Sequence, residues 1–228
     1  MNLAGLARAA VVAVMLGTPL IGPAVSAGAL ATAEQVSLRP SLASESLDKD
    51  WTLDGTGAWS MHDGLLALVT AGKPGGAIRR PSAVAVLNGP DLTDTTFQVD
   101  LRSTAALPPV TPRRDALLVA AYQSPTRFYY VHLSAARDDV HNGIFLVHDA
   151  DRRRIDSRSE FTPLVDQQWH QARLVRTAAT GRIEVYVDDR AEPIMIASDT
   201  TLGWGRVGVG SFDDTAEFRN VVVTGTKK

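Results

Sequence analysis

Thr96-Phe97-Gln98-Val99-Asp100-Leu101-Arg102 is the stretch that decides the fold of this 228-residue chain. Polar and apolar residues alternate through it, so an extended backbone turns Phe97, Val99 and Leu101 to one side. This period of two is typical of a strand with one buried face. Residues 182–188 (RIEVYVD) repeat the alternation, and residues 171–176 (QARLVR) continue it. The sequence therefore predicts a sheet with one face in a hydrophobic core.

Most of the remaining chain after residue 51 also divides into short apolar segments separated by turns. Asp63-Gly64, Asn88-Gly89 and Thr180-Gly181 are pairs that favour turns between strands. No stretch after residue 45 shows a helical period of useful length. We therefore predict an all-β domain, either a sandwich or a barrel. The other predicted strands are residues 65–69, 83–87, 116–123, 128–134, 143–148, 206–212 and 218–224.

The first 27 residues predict a secretory signal peptide. Arg8 precedes an apolar run over residues 9–21, and Val25-Ser26-Ala27 provides the small residues of a cleavage site. The run is short for a membrane-spanning helix and is interrupted by glycine and proline. We therefore expect export to a periplasmic or extracellular location. A linker or N-terminal arm over residues 28–46 and a single domain over residues 47–228 would follow.

Composition and charge narrow the classes of protein to which the chain can belong. There are no cysteines, which excludes disulfides, thiol catalysis and cysteine-ligated zinc. Without the signal peptide, 22 basic side chains face 25 acidic ones. Nothing in that balance favours nucleic acid or an anionic membrane as a partner.

Three groups of segments resemble a known superfamily. Residues 169–176 (WHQARLVR) with 181–189 (GRIEVYVDD) resemble the central hairpin of laminin-G-like domains. Residues 205–212 (GRVGVGSF) with 218–221 (FRNV) are similar to the last two strands of the same superfamily. Trp51 with residues 57–59 (GAW) and 63–65 (DGL) looks like the start of 3-keto-disaccharide hydrolase domains. The resemblance covers most of residues 51–225. It implies a two-sheet antiparallel jelly-roll sandwich of the concanavalin A-like type, whose concave sheet usually faces a glycan.

The chain departs from these relatives in their catalytic motifs. Residues 115–120 (DALLVA) stand where the hydrolase branch usually has an Asn-Ser-Gly-Ile-like segment, and no Glu-x-Asp-x-Glu strand of the laminarinase type is present. Retaining glycosidases need two carboxyls about 5 Å apart. We therefore expect recognition of oligo- or polysaccharide. A glycoside hydrolase or lyase is the first alternative, and a structural or adhesion module that binds protein is the second.

The predicted binding site lies on the strand over residues 128–134 and on the loop after it. A strand places Tyr130 and His132 on one face, where a ring can stack on a sugar and polar atoms can bond its hydroxyls. The loop then delivers an acid, a histidine and an asparagine at the strand end. The alternative is that His132 is a half-buried sandwich residue and that Asp138-Asp139 caps a turn. The predicted ligand-binding residues are Tyr130, His132, Asp139, His141, Asn142 and, through a bidentate guanidinium, Arg80.

Catalysis and metal binding are predicted at overlapping positions. For the enzyme alternative, His132 or His141 would be the general base and Asp139 its partner. Asp213 and Asp214, in the loop before the last strand, are candidate ligands of a structural calcium ion, because calcium prefers carboxylate oxygens. An ordinary polar turn is the favoured alternative there. A zinc site that includes His148 lacks a spacing that fixes ligand geometry.

Two further stretches carry polar or aromatic groups. In laminin-G-like hairpins the tryptophan of the Trp169-His170 pair packs into the sandwich and the histidine lies at its edge, which implies a structural role here. Residues 151–154 (DRRR) predict a solvated hairpin tip, with binding of an acidic polysaccharide as the alternative.

Overall fold

Two antiparallel β-sheets make up residues 33–228, the part of the chain that the computed structural model describes. In chain order the strands are β1 (Gln35–Leu38), β2 (Trp51–Gly55), β3 (Ala58–His62), β4 (Leu65–Thr70), β5 (Ala83–Leu87), β6 (Leu92–Ser103), β7 (Asp115–Ser124), β8 (Arg127–Ser134), β9 (Gly143–His148), β10 (Arg153–Arg154), β11 (Asp156–Ser159), β12 (His170–Thr177), β13 (Arg182–Val187), β14 (Met195–Ser198), β15 (Arg206–Ser211) and β16 (Ala216–Lys227). The larger sheet has nine strands in the order β11-β14-β13-β12-β6-β16-β4-β3, with β1 also paired to β16. The smaller sheet has seven, in the order β10-β9-β8-β7-β15-β5-β2.

Helical structure between residues 33 and 228 is confined to short elements. These are α1 (Leu47–Asp50) and two 3-10 turns, Ser44–Ser46 and Pro163–Val165. Within the same residues, no helix combines the length and hydrophobicity needed to cross a membrane. The prediction of an all-β sandwich is confirmed, and it is a two-sheet jelly roll rather than a barrel.

The alternating stretches of the sequence form the centre of the larger sheet. β6 pairs with β12 on one side and β16 on the other, so Phe97 lies opposite both Leu174 and Val223. The predicted inward residues Phe97, Val99 and Leu101 have no exposed surface. Against them pack residues of the smaller sheet, among them Leu118 and Tyr129. This layer is the core of the sandwich.

The smaller sheet is buried on its other face as well. There a second hydrophobic cluster is formed by β5, β7, β8 and β9, and Phe212 and Ile78 from outside the strands pack against it. The face was expected to be an open concave groove for a ligand. It is instead filled by apolar side chains, because residues remote in sequence lie over it.

Part of the predicted linker or N-terminal arm over residues 28–46 forms a strand of the larger sheet. β1 pairs with β16 from Gln35 opposite Thr226 to Leu38 opposite Val223. Val36 and Leu38 pack against the main core, so burial of their side chains anchors this strand. The described part of the arm therefore belongs to the sandwich. The predicted signal peptide, residues 1–27, lies outside the described residues.

Candidate functional site

The face of β8 that was expected to meet a sugar is buried. Phe128, Tyr130, His132 and Ser134 share one face, as the alternation predicts, but Tyr130 has no exposed surface and His132 only 1%. The Tyr130 ring stacks on Phe145 with centroids 5.1 Å apart. Burial raises the pKa of the Tyr130 hydroxyl above its usual value. These side chains do not offer a free surface to a glycan.

His132 belongs to a buried polar network centred on Asp115, which no sequence motif predicted. Its Nε2 lies 3.2 Å from Asp115 Oδ2, and its ring lies nearly parallel to Phe212 at 5.4 Å. Asp115 also accepts hydrogen bonds from the Ser211 hydroxyl and from the Phe212 amide, the latter at 3.1 Å. The buried carboxylate is thus satisfied by three partners, as buried charges require. Asp115 is the first residue of β7, and the residues that follow it are apolar. An aspartate beside such a run is expected to be buried and to need hydrogen-bond partners, and this was the signal in the sequence.

The loop after β8 is organised by Asp138 rather than by Asp139. Asp138 Oδ1 accepts bonds from the amides of Val140 and His141 at 2.9 Å and lies 2.8 Å from His141 Nδ1. Burial lowers the pKa of His141, and the Asp138 carboxylate opposes that shift. Asp139 is exposed, and among residues 33–228 it makes no hydrogen bond to either histidine.

The predicted catalytic group is therefore not assembled as expected. The rings of His132 and His141 lie 5.2 Å apart, but each histidine has its own partner, Asp115 or Asp138. Asn142 is fully buried and donates a 2.9 Å hydrogen bond to the Phe161 carbonyl. Its position is structural, since it joins the loop after β8 to the chain after β11.

Arg80 is engaged within the protein. Its guanidinium makes a bidentate pair with Asp54 at 2.8 and 2.9 Å, and Asp54 also accepts a hydrogen bond from Tyr122 at 3.2 Å. The bidentate geometry predicted for Arg80 is present, but its partner is a carboxylate of this chain.

Two other arginines lie over the aromatic layer without such a partner. The Arg152 guanidinium carbon is 4.2 Å from the centre of the Phe212 ring and 5.2 Å from that of Phe145. Arg79 approaches the same Phe212 ring at 5.8 Å. Within residues 33–228, neither guanidinium has a carboxylate within 4.0 Å, whereas Arg153 and Arg154 both do. Arg152 donates instead to the Tyr130 hydroxyl at 3.1 Å.

A cavity of about 310 Å³ lies beside these arginines. Its walls include Gly75, Gly76, Arg79 and Asp151. The Asp151 carboxylate accepts a bond from the Arg79 amide at 2.8 Å, and the Arg152 amide donates to the Arg79 carbonyl at 3.0 Å. These bonds fix the loop before β5 against the turn after β9. We call Arg79, Asp151 and Arg152 the arginine surface.

Asp213 and Asp214 join Asp115 in a group of carboxylates whose oxygens lie within 4.8 Å of one another. Burial, together with the neighbouring charge of Asp115, raises the pKa of Asp214 to about 7. Calcium takes about six to eight oxygen ligands, and both Asp115 oxygens already accept hydrogen bonds. The residues fit a calcium ion only in part, so the site remains a prediction.

Trp169 lies in a different place from the one that the resemblance implies. The guanidinium groups of Arg102, at 4.7 Å, and of Arg219, at 4.1 Å, lie over its ring on the outer face of the larger sheet. It therefore does not pack into the sandwich. His170 does lie at the edge, between Asp166 and Asp188.

Several solved structures share the fold. One is a carbohydrate-binding module, CBM66 from Bacillus subtilis, with 18% identity and a TM-score of 0.56 over 75% of this chain and 93% of that one. Another is lectin I from Ulex europaeus in complex with the methyl glycoside of α-L-fucose, with 14% identity and a TM-score of 0.53 over 84% and 98%. A third is the basic winged bean lectin with Tn-antigen, with 11% identity and a TM-score of 0.53 over 85% and 99%. No protein-family model and no curated protein matches the sequence.

Proposed function

We propose that this chain, which has the concanavalin A-like β-sandwich fold, is an exported protein that binds carbohydrate through the arginine surface. The fold is shared with a carbohydrate-binding module and with lectins whose structures contain a sugar. Because a shared fold does not establish a shared function, the proposal depends on the site itself.

The observation that carries it is the pair of guanidinium groups of Arg79 and Arg152 above the Phe212 ring, free of carboxylate partners within the described residues. A sugar hydroxyl can accept a hydrogen bond from one group and donate another to a second group. Arg79 and Arg152 supply donors in fixed forks, and Asp151 supplies an acceptor beside the same cavity. The surface therefore offers both the hydrogen-bond donors and the acceptor that sugar hydroxyls require.

The buried residues support this surface from below. The Tyr130 hydroxyl accepts a bond from Arg152, and the Phe145 and Phe212 rings lie under its guanidinium. A guanidinium held in this way loses less conformational freedom when a ligand binds. In this proposal Tyr130 and His132 position the contact groups, and Arg79 and Arg152 make the contacts.

A glycan array probed with the full chain tests the proposal. We expect wild-type binding to neutral or acidic glycans, and a loss of about tenfold or more in affinity for the double variant Arg79→Ala/Arg152→Ala, since each fork makes more than one hydrogen bond. Arg152→Lys should lose most of the affinity of that site, because it keeps the charge but not the fork.

The matched control is Arg153→Ala, at the next residue along the chain, because Arg153 pairs with Asp199. Its affinity should stay at the wild-type value. Circular dichroism checks that the wild type and the double variant are both folded. If both then bind glycans with equal affinity, this surface is not the binding site.

A further inference from the structure

A larger cavity, of about 500 Å³, lies at the edge of the larger sheet. It is formed where the chain leaves β11 and where β13 is joined to β14. Among its lining residues are Phe161, Arg190, Glu192 and Pro193, none of which belongs to the arginine surface.

Phe161 is held in a backbone conformation that an aromatic residue rarely adopts. Its φ angle is +57°, and its side chain is 37% exposed. Such a conformation is unfavourable for a residue with a Cβ atom and persists only when the surroundings impose it. The buried Asn142 amide donates a 2.9 Å hydrogen bond to the Phe161 carbonyl and so helps to hold the backbone at this residue. The result is an aromatic ring presented to solvent at the cavity, with no role in the core.

The polar groups beside this ring are unevenly paired. Arg158 and Glu160 bond each other at 2.9 Å. The Arg190 guanidinium lies 3.8 Å from the centre of the Phe161 ring. In the described part of the chain, Arg190 has no carboxylate and Glu192 no cation within 4.0 Å. The guanidinium of Arg190 and the carboxylate of Glu192 are thus free to bond a ligand next to the apolar Pro193.

This combination selects a class of ligand. A simple anion would be disfavoured by Glu192, and a simple cation by Arg190. Neighbouring hydroxyls of a sugar can accept from Arg190 and donate to Glu192 at once, while the C–H face of the ring packs on Phe161 or Pro193. We infer that this cavity, the Phe161 pocket, is a second binding site that takes the vicinal diol of a neutral sugar unit. The inference relies on the carbohydrate chemistry of the proposed function but on separate residues.

Phe161→Gly gives the sharpest test, because glycine adopts a positive φ without strain. A residue that serves only the fold would lose stability when its ring is removed. If the strained backbone at Phe161 serves binding, Phe161→Gly should leave the melting temperature unchanged or raise it. The affinity at this site should fall about tenfold or more. A lower melting temperature with unchanged affinity would overturn the inference.

Calorimetric titration with cellohexaose, laminarihexaose and xylohexaose separates the two sites. We expect the full chain to bind a neutral hexasaccharide with an affinity that falls in the double variant Arg190→Lys/Glu192→Gln. The matched control is Arg182→Lys, since Arg182 pairs with Glu184 elsewhere on β13. That control should bind as the wild type does.

The outcomes distinguish the inference from the proposed function. Binding that is lost with Arg79→Ala/Arg152→Ala but unchanged with Arg190→Lys/Glu192→Gln supports the arginine surface and overturns the Phe161 pocket. The reverse pattern supports the pocket alone. Binding restricted to glycans with carboxylate or sulfate groups, or no binding of any of the three hexasaccharides, overturns the pocket as a neutral-sugar site.

Discussion

The outer faces of the two sheets differ in their relation to solvent. On the larger sheet, β13 alternates between buried and half-exposed residues, so its outer face carries Glu184 and Tyr186 in contact with water. On the smaller sheet, β7 and β8 are buried almost throughout, and their outer face is a second layer of apolar and aromatic side chains. The same fold therefore presents one polar face and one covered face.

The difference shows where a ligand can be contacted. A covered face cannot bind a glycan with its own strand residues, so recognition falls to the groups that lie over it. On the smaller sheet these include Arg79 and Arg152, at the boundary between the aromatic layer and solvent. The aromatic residues there give rigidity to the groups above them.

The largest expected effect follows from the burial of Tyr130. Tyr130→Ala should lower the free energy of unfolding by about 3–5 kcal/mol, because it leaves a cavity among Phe128, Phe145 and Phe212. Tyr186→Ala, on the outer face of the larger sheet, should cost less than about 1 kcal/mol. Urea denaturation of both variants gives the two values directly.

Tyr130→Phe is the matched control, since it keeps the ring and removes only the hydroxyl that accepts from Arg152. It should cost about 1 kcal/mol. Equal costs for Tyr130→Ala and Tyr186→Ala would mean that the two outer faces are equally open, and the comparison would then fail.

The sequence predicts the strands well because strand burial repeats with a local period. Residues 83–87 and 143–148 were predicted with the bounds that the structure shows. The strands that were not predicted are short or polar, such as β11 (DSRS), which lies at a sheet edge and has no apolar face to reveal its period. Continuous apolar runs are typical of strands buried on both faces. Residues 116–122 (ALLVAAY) therefore already indicated a covered face.

The candidate site was less accessible to sequence reasoning because its contacts join distant residues. Asp115 and Ser211 are 96 positions apart, and no local pattern pairs them. The choice of Asp138 over Asp139 is a local matter, because an aspartate side chain often bonds the amide two residues later. That signal was available. The unpaired state of Arg79 and Arg152 could be read only from the folded chain.

The second prediction concerns the pH dependence of stability near the covered face. The pKa of Asp214 is raised to about 7 when folded, against an ordinary value of 3.8. Below the unfolded pKa both states hold the proton. As pH rises through the window between these values, the unfolded state ionises first, so the folded state loses stability. Asp214→Asn should remove this loss, and at pH 7.5 it should gain about 1–2 kcal/mol relative to wild type after allowance for solvent screening.

The measurement is urea denaturation at pH 4 and pH 7.5 for wild type, Asp214→Asn and Asp139→Asn. Asp139 is exposed in the loop after β8 and serves as the control. The Asp214→Asn profile should be flatter than the other two. If the free energy of unfolding changes equally with pH in all three proteins, burial does not raise the pKa of Asp214.

The third prediction concerns Trp169, on the polar face. The guanidinium groups of Arg102 and Arg219 both lie over its ring, and each arginine also pairs with a carboxylate, Glu217 or Asp100. Half-exposed cation–π contacts contribute about 0.5–1 kcal/mol each, so Trp169→Ala should cost about 1–2 kcal/mol and Trp169→Phe less. A ring packed into the sandwich would cost about 3–5 kcal/mol on the same substitution. A double-mutant cycle of Trp169→Ala with Arg219→Ala distinguishes a ring on the outer face from a ring packed into the sandwich. Only a ring that contacts the Arg219 guanidinium has a coupling energy with it.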